Sequence, residues 1–230
     1  MSLMMATMAA AATASGSSSP TATLLDQTVD ATTGTSIVSG SVSPTSDCLL
    51  VVFCRMSRNE AANINVSATT LSNVGSWTDA SIYSGDLSDG TIGVSYAKVT
   101  GAPGSGTITV SWNNGRTYRA MHVIQVEGHD TTSPVTQTKL TQEGSGSATH
   151  TGTFDASVDS NALVLAGITH HAAGVGDITE GAAFTKLAES AITRALHTEY
   201  DREGPADTFD WSGLKTTEAR ASAAIEIAAA

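Results

Sequence analysis

Apolar and polar positions alternate with a period of two over short stretches of the chain, and a 3.6-residue period is sustained nowhere. The first such stretches fall near residues 22–28, 35–43, 48–55, 76–83, 91–99, 106–112 and 117–127. A second set follows near 136–142, 147–154, 161–169, 183–190, 193–201, 206–211 and 217–228. Short strands at this spacing, divided by Gly, Ser, Asn and Asp, predict an all-β chain. Asp89-Gly90 and Asn114-Gly115 are the strongest hairpin signals, and Gly101 through Gly106 reads as a longer turn. Two runs break the alternation. Residues 48–54 and 162–168 are almost wholly apolar, as strands covered on both faces must be. Ala61-Ala62 and the Ala-rich C-terminus offer a turn of helix at most.

The second set of strands repeats the first. Ser46-Asp47-Cys48-Leu49-Leu50-Val51-Val52 returns as Ser160-Asn161-Ala162-Leu163-Val164-Leu165-Ala166. Tyr96-Ala97-Lys98 returns as Tyr200-Asp201-Arg202, Trp112 as Trp211, and the Arg-led segment Arg119–Val126 as Arg220–Ile227. Such a repeat specifies a scaffold and argues against chemistry that only one copy can carry. The expected fold is an antiparallel two-sheet β-sandwich, jelly-roll-like, over residues 22–230, with pseudo-repeats 22–135 and 136–230. No linker richer in Pro or Gly divides the halves, so we expect them to interleave in one sandwich, with two separate small domains as the alternative. Residues 1–21 read as an extended N-terminal arm, too rich in small residues to hold a core position when left alone.

Composition narrows the function. The 230 residues are 40% hydrophobic, 14% charged and 5% aromatic, a globular profile filled out by Ser, Thr, Ala and Gly. The formal charge is −11 and the basic residues are scattered, which disfavours nucleic acid and an acidic membrane surface as partners. No apolar stretch reaches the roughly 18 residues of a spanning helix. No Lys or Arg precedes Arg55, so the apolar start lacks the basic region of a secretory signal. Cys48 and Cys54 lie in one predicted strand, roughly 20 Å apart at ~3.3 Å per residue, too far to pair. Two buried thiols fit assembly in a reducing cytoplasm.

Each candidate for chemistry has a plainer reading. Glu199, Asp201, Glu203, Asp207 and Asp210 form the densest acidic patch, either a catalytic row or the wet side of an edge strand. We read it as the latter, and the spacing of a calcium loop is not met. His170-His171 near Asp177 suggests a metal, but consecutive strand residues point to opposite faces, and His122, His129, His150 and His197 lack ligand spacing. No cofactor is implied. The G-x-S-x-G elbow of a serine hydrolase is missing, and with Ser and Thr this abundant, chance triads carry no weight. Trp112 and Trp211, matched at strand ends, read as core plugs whose N–H groups meet loop carbonyls. Trp77, at the start of a strand, is the candidate for stacking on a sugar.

The order of Trp77-Thr78, Tyr96, Pro103-Gly104-Ser105-Gly106-Thr107, Trp112 and then Val126-Glu127-Gly128-His129-Asp130-Thr131-Thr132-Ser133-Pro134-Val135 resembles β-sandwich structural proteins of tailed bacteriophages and their prophages. The resemblance covers about 25–230 and brings no catalytic residues. It implies a virion component of jelly-roll type assembled in the host cytoplasm. The expected role is capsid decoration or cementing, with the major capsid protein or other virion proteins as partners and a homo-oligomer in the particle. Arm residues Leu3, Met4, Met5 and Met8, with Leu24 and Leu25, are the expected contacts, made by strand addition. The alternative is a carbohydrate-binding tail or adhesin module using Trp77; a polysaccharide-degrading enzyme is a third, weaker reading.

Overall fold

The computed structural model describes residues 19–57, 64–83, 90–170, 178–191, 195–202 and 205–230, and all regular structure in them is strand. The first half contains β1 (Thr21–Asp30), β2 (Gly34–Val38), β3 (Leu49–Met56), β4 (Ile64–Thr69), β5 (Thr78–Tyr83), β6 (Thr91–Lys98), β7 (Thr107–Arg116) and β8 (Arg119–Glu127). The second contains β9 (Val135–Glu143), β10 (His150–Thr153), β11 (Leu163–His170), β12 (Thr179–Glu180), β13 (Thr185–Ala191), β14 (Ala195–Asp201), β15 (Thr208–Ser212) and β16 (Arg220–Ile227). No helix among the described residues is long and apolar enough to cross a membrane.

The halves share one topology. A five-stranded sheet ordered β1-β8-β3-β6-β5 faces a three-stranded sheet ordered β2-β7-β4. Adding eight to each number gives the second half, β9-β16-β11-β14-β13 and β10-β15-β12. All named pairings are antiparallel, and each stays within its own half. The winding, with the eighth strand returning between the first and third, is that of a jelly roll. The halves therefore do not interleave. Each carries the strands that close its own sandwich, and the short link between Glu127 and Val135 suffices to join two such units. That link is tied to the C-terminus: Asp130 N–H donates to the Ala228 carbonyl and Ala228 N–H to that of Pro134, both at 2.9 Å.

The two five-stranded sheets stack face to face between the three-stranded ones, giving four layers and three apolar interfaces. One face of β3 (Leu50, Val52, Cys54, Met56) packs on Ile37, Val66, Ile108, Val110 and Trp112 of its own half. The other face (Leu49, Val51, Phe53) meets Leu163, Leu165, Ala221, Ala223, Ile225 and Ile227 of the other half. In the second half, Val164, Ala166 and Ile168 of β11 pack on Phe154, Phe209, Trp211 and Leu214. This accounts for the two continuous apolar runs: all eight residues of β3 and all eight of β11 are buried because both strands lie in inner layers.

Buried polar residues recur at matched positions. Arg119 and Arg220 begin β8 and β16, each opposite a carboxylate in register, Asp30 and Glu143. Arg119 donates to Asp30 Oδ2 at 2.5 Å and to the Ser36 carbonyl, and Arg220 donates to the Ser147 carbonyl at 2.7 Å. Gln125 and Glu226 likewise pin the loops entering β3 and β11, accepting from Thr45 N–H and Asp159 N–H, each at 2.8 Å.

Local departures from expectation have local causes. β4 continues the alternation of Ile64 and Val66 with Asn65 and Ser67 that our strand assignment passed over, and β12 has only two residues. Asn114-Gly115 does not form a hairpin turn. β7 runs through it by a bulge, since Ser36 pairs with Ser111 but Gly34 with Arg116, and the turn falls at Thr117-Tyr118, with Tyr118 at φ 51°. Ala61-Ala62 and Asp89 lie outside the described residues.

Because the inner strands are packed on both sides, Leu50→Ala and Leu165→Ala should each lower unfolding free energy by ~2–5 kcal/mol. Thr23→Ala, on the exposed side of β1, should change it by less than about 0.5 kcal/mol. Urea denaturation followed by Trp fluorescence measures both.

Candidate functional site

The residues singled out for binding fall into separate places. Leu3, Met4, Met5 and Met8 lie outside the described residues. Leu24 and Leu25 lie half-buried on β1, where Leu25 is the extra residue of a bulge; Leu24 packs on the core between the halves and Leu25 on the first sandwich core. Trp77 precedes β5 and is half-buried against the same first core. Trp112 and Trp211 are core residues; the Trp112 indole N–H has no hydrogen-bond partner, and that of Trp211 lies against the buried Glu199 carboxyl without a hydrogen bond of normal geometry. The expected loop carbonyls are absent because both rings lie in the interior between sheets rather than at a turn, that of Trp211 with the polar His150 and Glu199 beside it.

The second half gathers two polar groupings inside its sandwich. In the first, β9, β10 and β16 bring together Glu143, His150 and Ser222. His150 Nδ1 lies 3.0 Å from Glu143 Oε2, and its Nε2 lies 2.7 Å from Ser222 Oγ. This is the connectivity of a serine–histidine–carboxylate relay. A cleft of about 240 Å³ lies beside it, lined by Glu143, His150 and the side chains of Thr141, Ser147, Thr149 and Thr151. The serine is fully buried and is not part of that lining. His150 stacks on Trp211 with ring centroids 5.9 Å apart. Burial lowers the imidazole pKa despite the Glu143 contact, so the ring is neutral at pH 7. The relay thus holds the sheets together across their gap and offers no attacking oxygen to solvent.

The second grouping corrects our reading of the acidic patch. β14 lies between β13 and β11, so it is no edge strand, and Glu199 is fully buried facing the three-stranded sheet. Asp201 is buried too, while Asp207 and Asp210 are exposed and Glu203 lies outside the described residues. Neither oxygen of Glu199 has a hydrogen bond of normal geometry, and burial, helped by Asp210, pushes its pKa up to about 9. The carboxyl is therefore neutral at pH 7. His197 lies 3.7 Å away and is held near 4 by burial, so it is neutral as well. Two neutral groups form no ion pair, and although glycoside hydrolysis pairs a protonated acid with an ionised carboxylate, Glu199 is fully buried and presents its acid to no substrate.

A third polar contact joins the halves. His122 of β8 reaches across with Nε2 2.6 Å from Ser190 Oγ and Nδ1 3.0 Å from Thr198 Oγ1. At the rim beside it, Gln27 Nε2 donates to the Glu189 carbonyl at 2.6 Å. His122 is fully buried, and its pKa is held down at about 3 by burial and by nearby His197. Sequence spacing gave no sign of this contact, since its partners are 68 and 76 residues away.

The remaining candidates do not assemble. His170 is buried and accepts from Lys215 N–H at 2.9 Å, and His171 and Asp177 lie outside the described residues. Among the described residues no three His, Cys, Asp or Glu side chains are placed to hold a metal ion. Cys48 and Cys54 are free and buried, and burial pushes their thiols up to about 11 and 12, which makes them poor nucleophiles.

Because Ser222 is enclosed, a fluorophosphonate probe should leave the native protein unlabelled at Ser222; adduct mass spectrometry checks this. A buried imidazole whose folded pKa lies below its free value of about 6.5 contributes stability that is complete above that pH and lost below it. His122 therefore predicts that unfolding free energy, and with it Tm, declines as pH falls from about 6.5 toward 3, by at most about 1.4 kcal/mol of free energy per pH unit for one such group. His122→Gln, which keeps hydrogen-bonding capacity without titrating, should make that decline shallower in calorimetric scans.

The chain matches no protein-family model and no curated protein, so the roles assigned to these residues rest on their geometry.

Proposed function

We propose that this protein is a structural component of a tailed-phage virion, a decoration or cement protein that binds the head surface and has no catalytic role. The observation that carries the reading is the enclosure of its polar chemistry: the Ser222–His150 and His197–Glu199 groupings are spent inside the sandwiches. The outer strands β1 and β9 leave nine to ten residues of sheet edge for contact with neighbours. Jelly rolls are frequent in virus shells and in lectins, so the fold supports the reading by analogy. The N-terminal segment, with Leu3, Met4, Met5 and Met8, leads directly into edge strand β1 and would extend its pairing onto the major capsid protein or another virion protein. Many such contacts from an oligomeric array would act together, in a particle assembled in the host cytoplasm.

One observation favours a carbohydrate-binding tail or adhesin module instead. A cavity of about 260 Å³ is lined by Ala183, Thr185, Tyr200, Asp201 and Arg202, which sets an aromatic ring beside acid, hydroxyl and guanidinium groups. Trp77 occupies the matched strand start in the first half.

Deleting residues 1–20 should abolish co-sedimentation with phage heads that lack the protein, while leaving Tm within a few degrees of the full chain. Retained attachment would overturn the role of the arm. Glycan-array binding lost in Tyr200→Ala would replace the head-surface reading with the carbohydrate one.

A further inference from the structure

The interface between the two jelly rolls has the form of a two-fold dimer inside one chain. Edge β1 lies over β13, and β5 lies over β9, where β13 and β9 are the counterparts of β5 and β1. A contact between i and the counterpart of j is thus matched by one between j and the counterpart of i, as in an isologous pair. Only a position lying on the axis meets its own counterpart.

Phe53 and Gly167 are such a position. Phe53 of β3 lies in register between Val94 and His122, and Gly167 of β11 between Thr198 and Ala223, the matching residues of the second half. The two also touch. A Cβ on Gly167 would lie 2.7 Å from a ring carbon of Phe53, so the ring fills the space that glycine leaves. Two first halves face to face would place Phe53 on Phe53, two rings where one fits. Two second halves would place Gly167 on Gly167 and leave a hole.

His122 supplies a second, polar asymmetry. It bonds across the interface to Ser190 and Thr198, whereas its counterpart is Ala223 and that of Thr198 is Val94, both in the apolar core between the halves. A pair of first halves would set the His122 imidazole against Val94, with no hydroxyl from Thr198 to meet it.

We propose that the face between the jelly rolls is a heterotypic recognition surface: the first half accepts the second, from its own chain or from another copy, and rejects its own kind. Copies that meet through this face then exchange halves reciprocally, as in a domain swap, and do not stack like on like.

The test uses the full chain. Phe53→Gly and Gly167→Phe should each lower Tm, and the reciprocal double variant F53G/G167F should melt above both singles. A double variant melting at or below the less stable single would overturn the steric key. For partner choice, a protease site is placed within residues 130–133 and the folded, cleaved protein is examined by native mass spectrometry. Complexes of one N-terminal with one C-terminal fragment are expected; like pairs, or fragments that separate, would overturn the proposal.

Discussion

Burial of β3 and β11 on both faces is the constraint on which the rest of the molecule depends. Each strand forms the middle of a five-stranded sheet and shares its side chains between two cores, one within its own jelly roll and one against the other. A polar side chain on either face would lie in apolar surroundings without water, so nearly every position must be apolar. Apolar area is removed from water on both sides of the same backbone, which lets a chain with only 5% aromatic residues build three cores. The small residues Ala166, Ala223 and Ala224 suit sheets stacked in this way.

Duplication explains the regularity, and departures from it show where the halves took different work. The Arg–carboxylate pairs at the starts of β8 and β16, and the Gln125 and Glu226 contacts to the preceding loops, serve the same purpose twice. They satisfy backbone carbonyls and N–H groups where the chain leaves one sheet for the other. By contrast, the Glu143–His150–Ser222 contact has Met121 at the serine's matched position, and Gly93 and Ser95 stand where the second half has His197 and Glu199. The scaffold does not require these groups, since the first half folds the same way without them.

Four buried groups, His122, His150, His197 and Glu199, are held in their neutral forms. For His122, His150, His197 and Glu199 the dominant cause is the same, removal from water, and neighbouring charges only modify it. These four groups are withdrawn from solvent, whereas Asp47, Glu127, Asp155, Asp159, Asp207 and Asp210 remain exposed on the surface.

The sequence by itself determined the strand content, the internal repeat and the double coverage of β3 and β11, because alternation and its interruption are local consequences of which faces meet water. The pairing of Trp112 with Trp211 and of Arg119 with Arg220 was legible for the same reason. Only the tertiary structure decided that the halves close separately and stack, that β14 is an inner strand with Glu199 buried, and that Phe53 meets Gly167. Local pattern records whether a residue is covered, but not by what. Which sheet supplies the cover depends on contacts between residues more than a hundred positions apart, and those form only when the whole chain has folded.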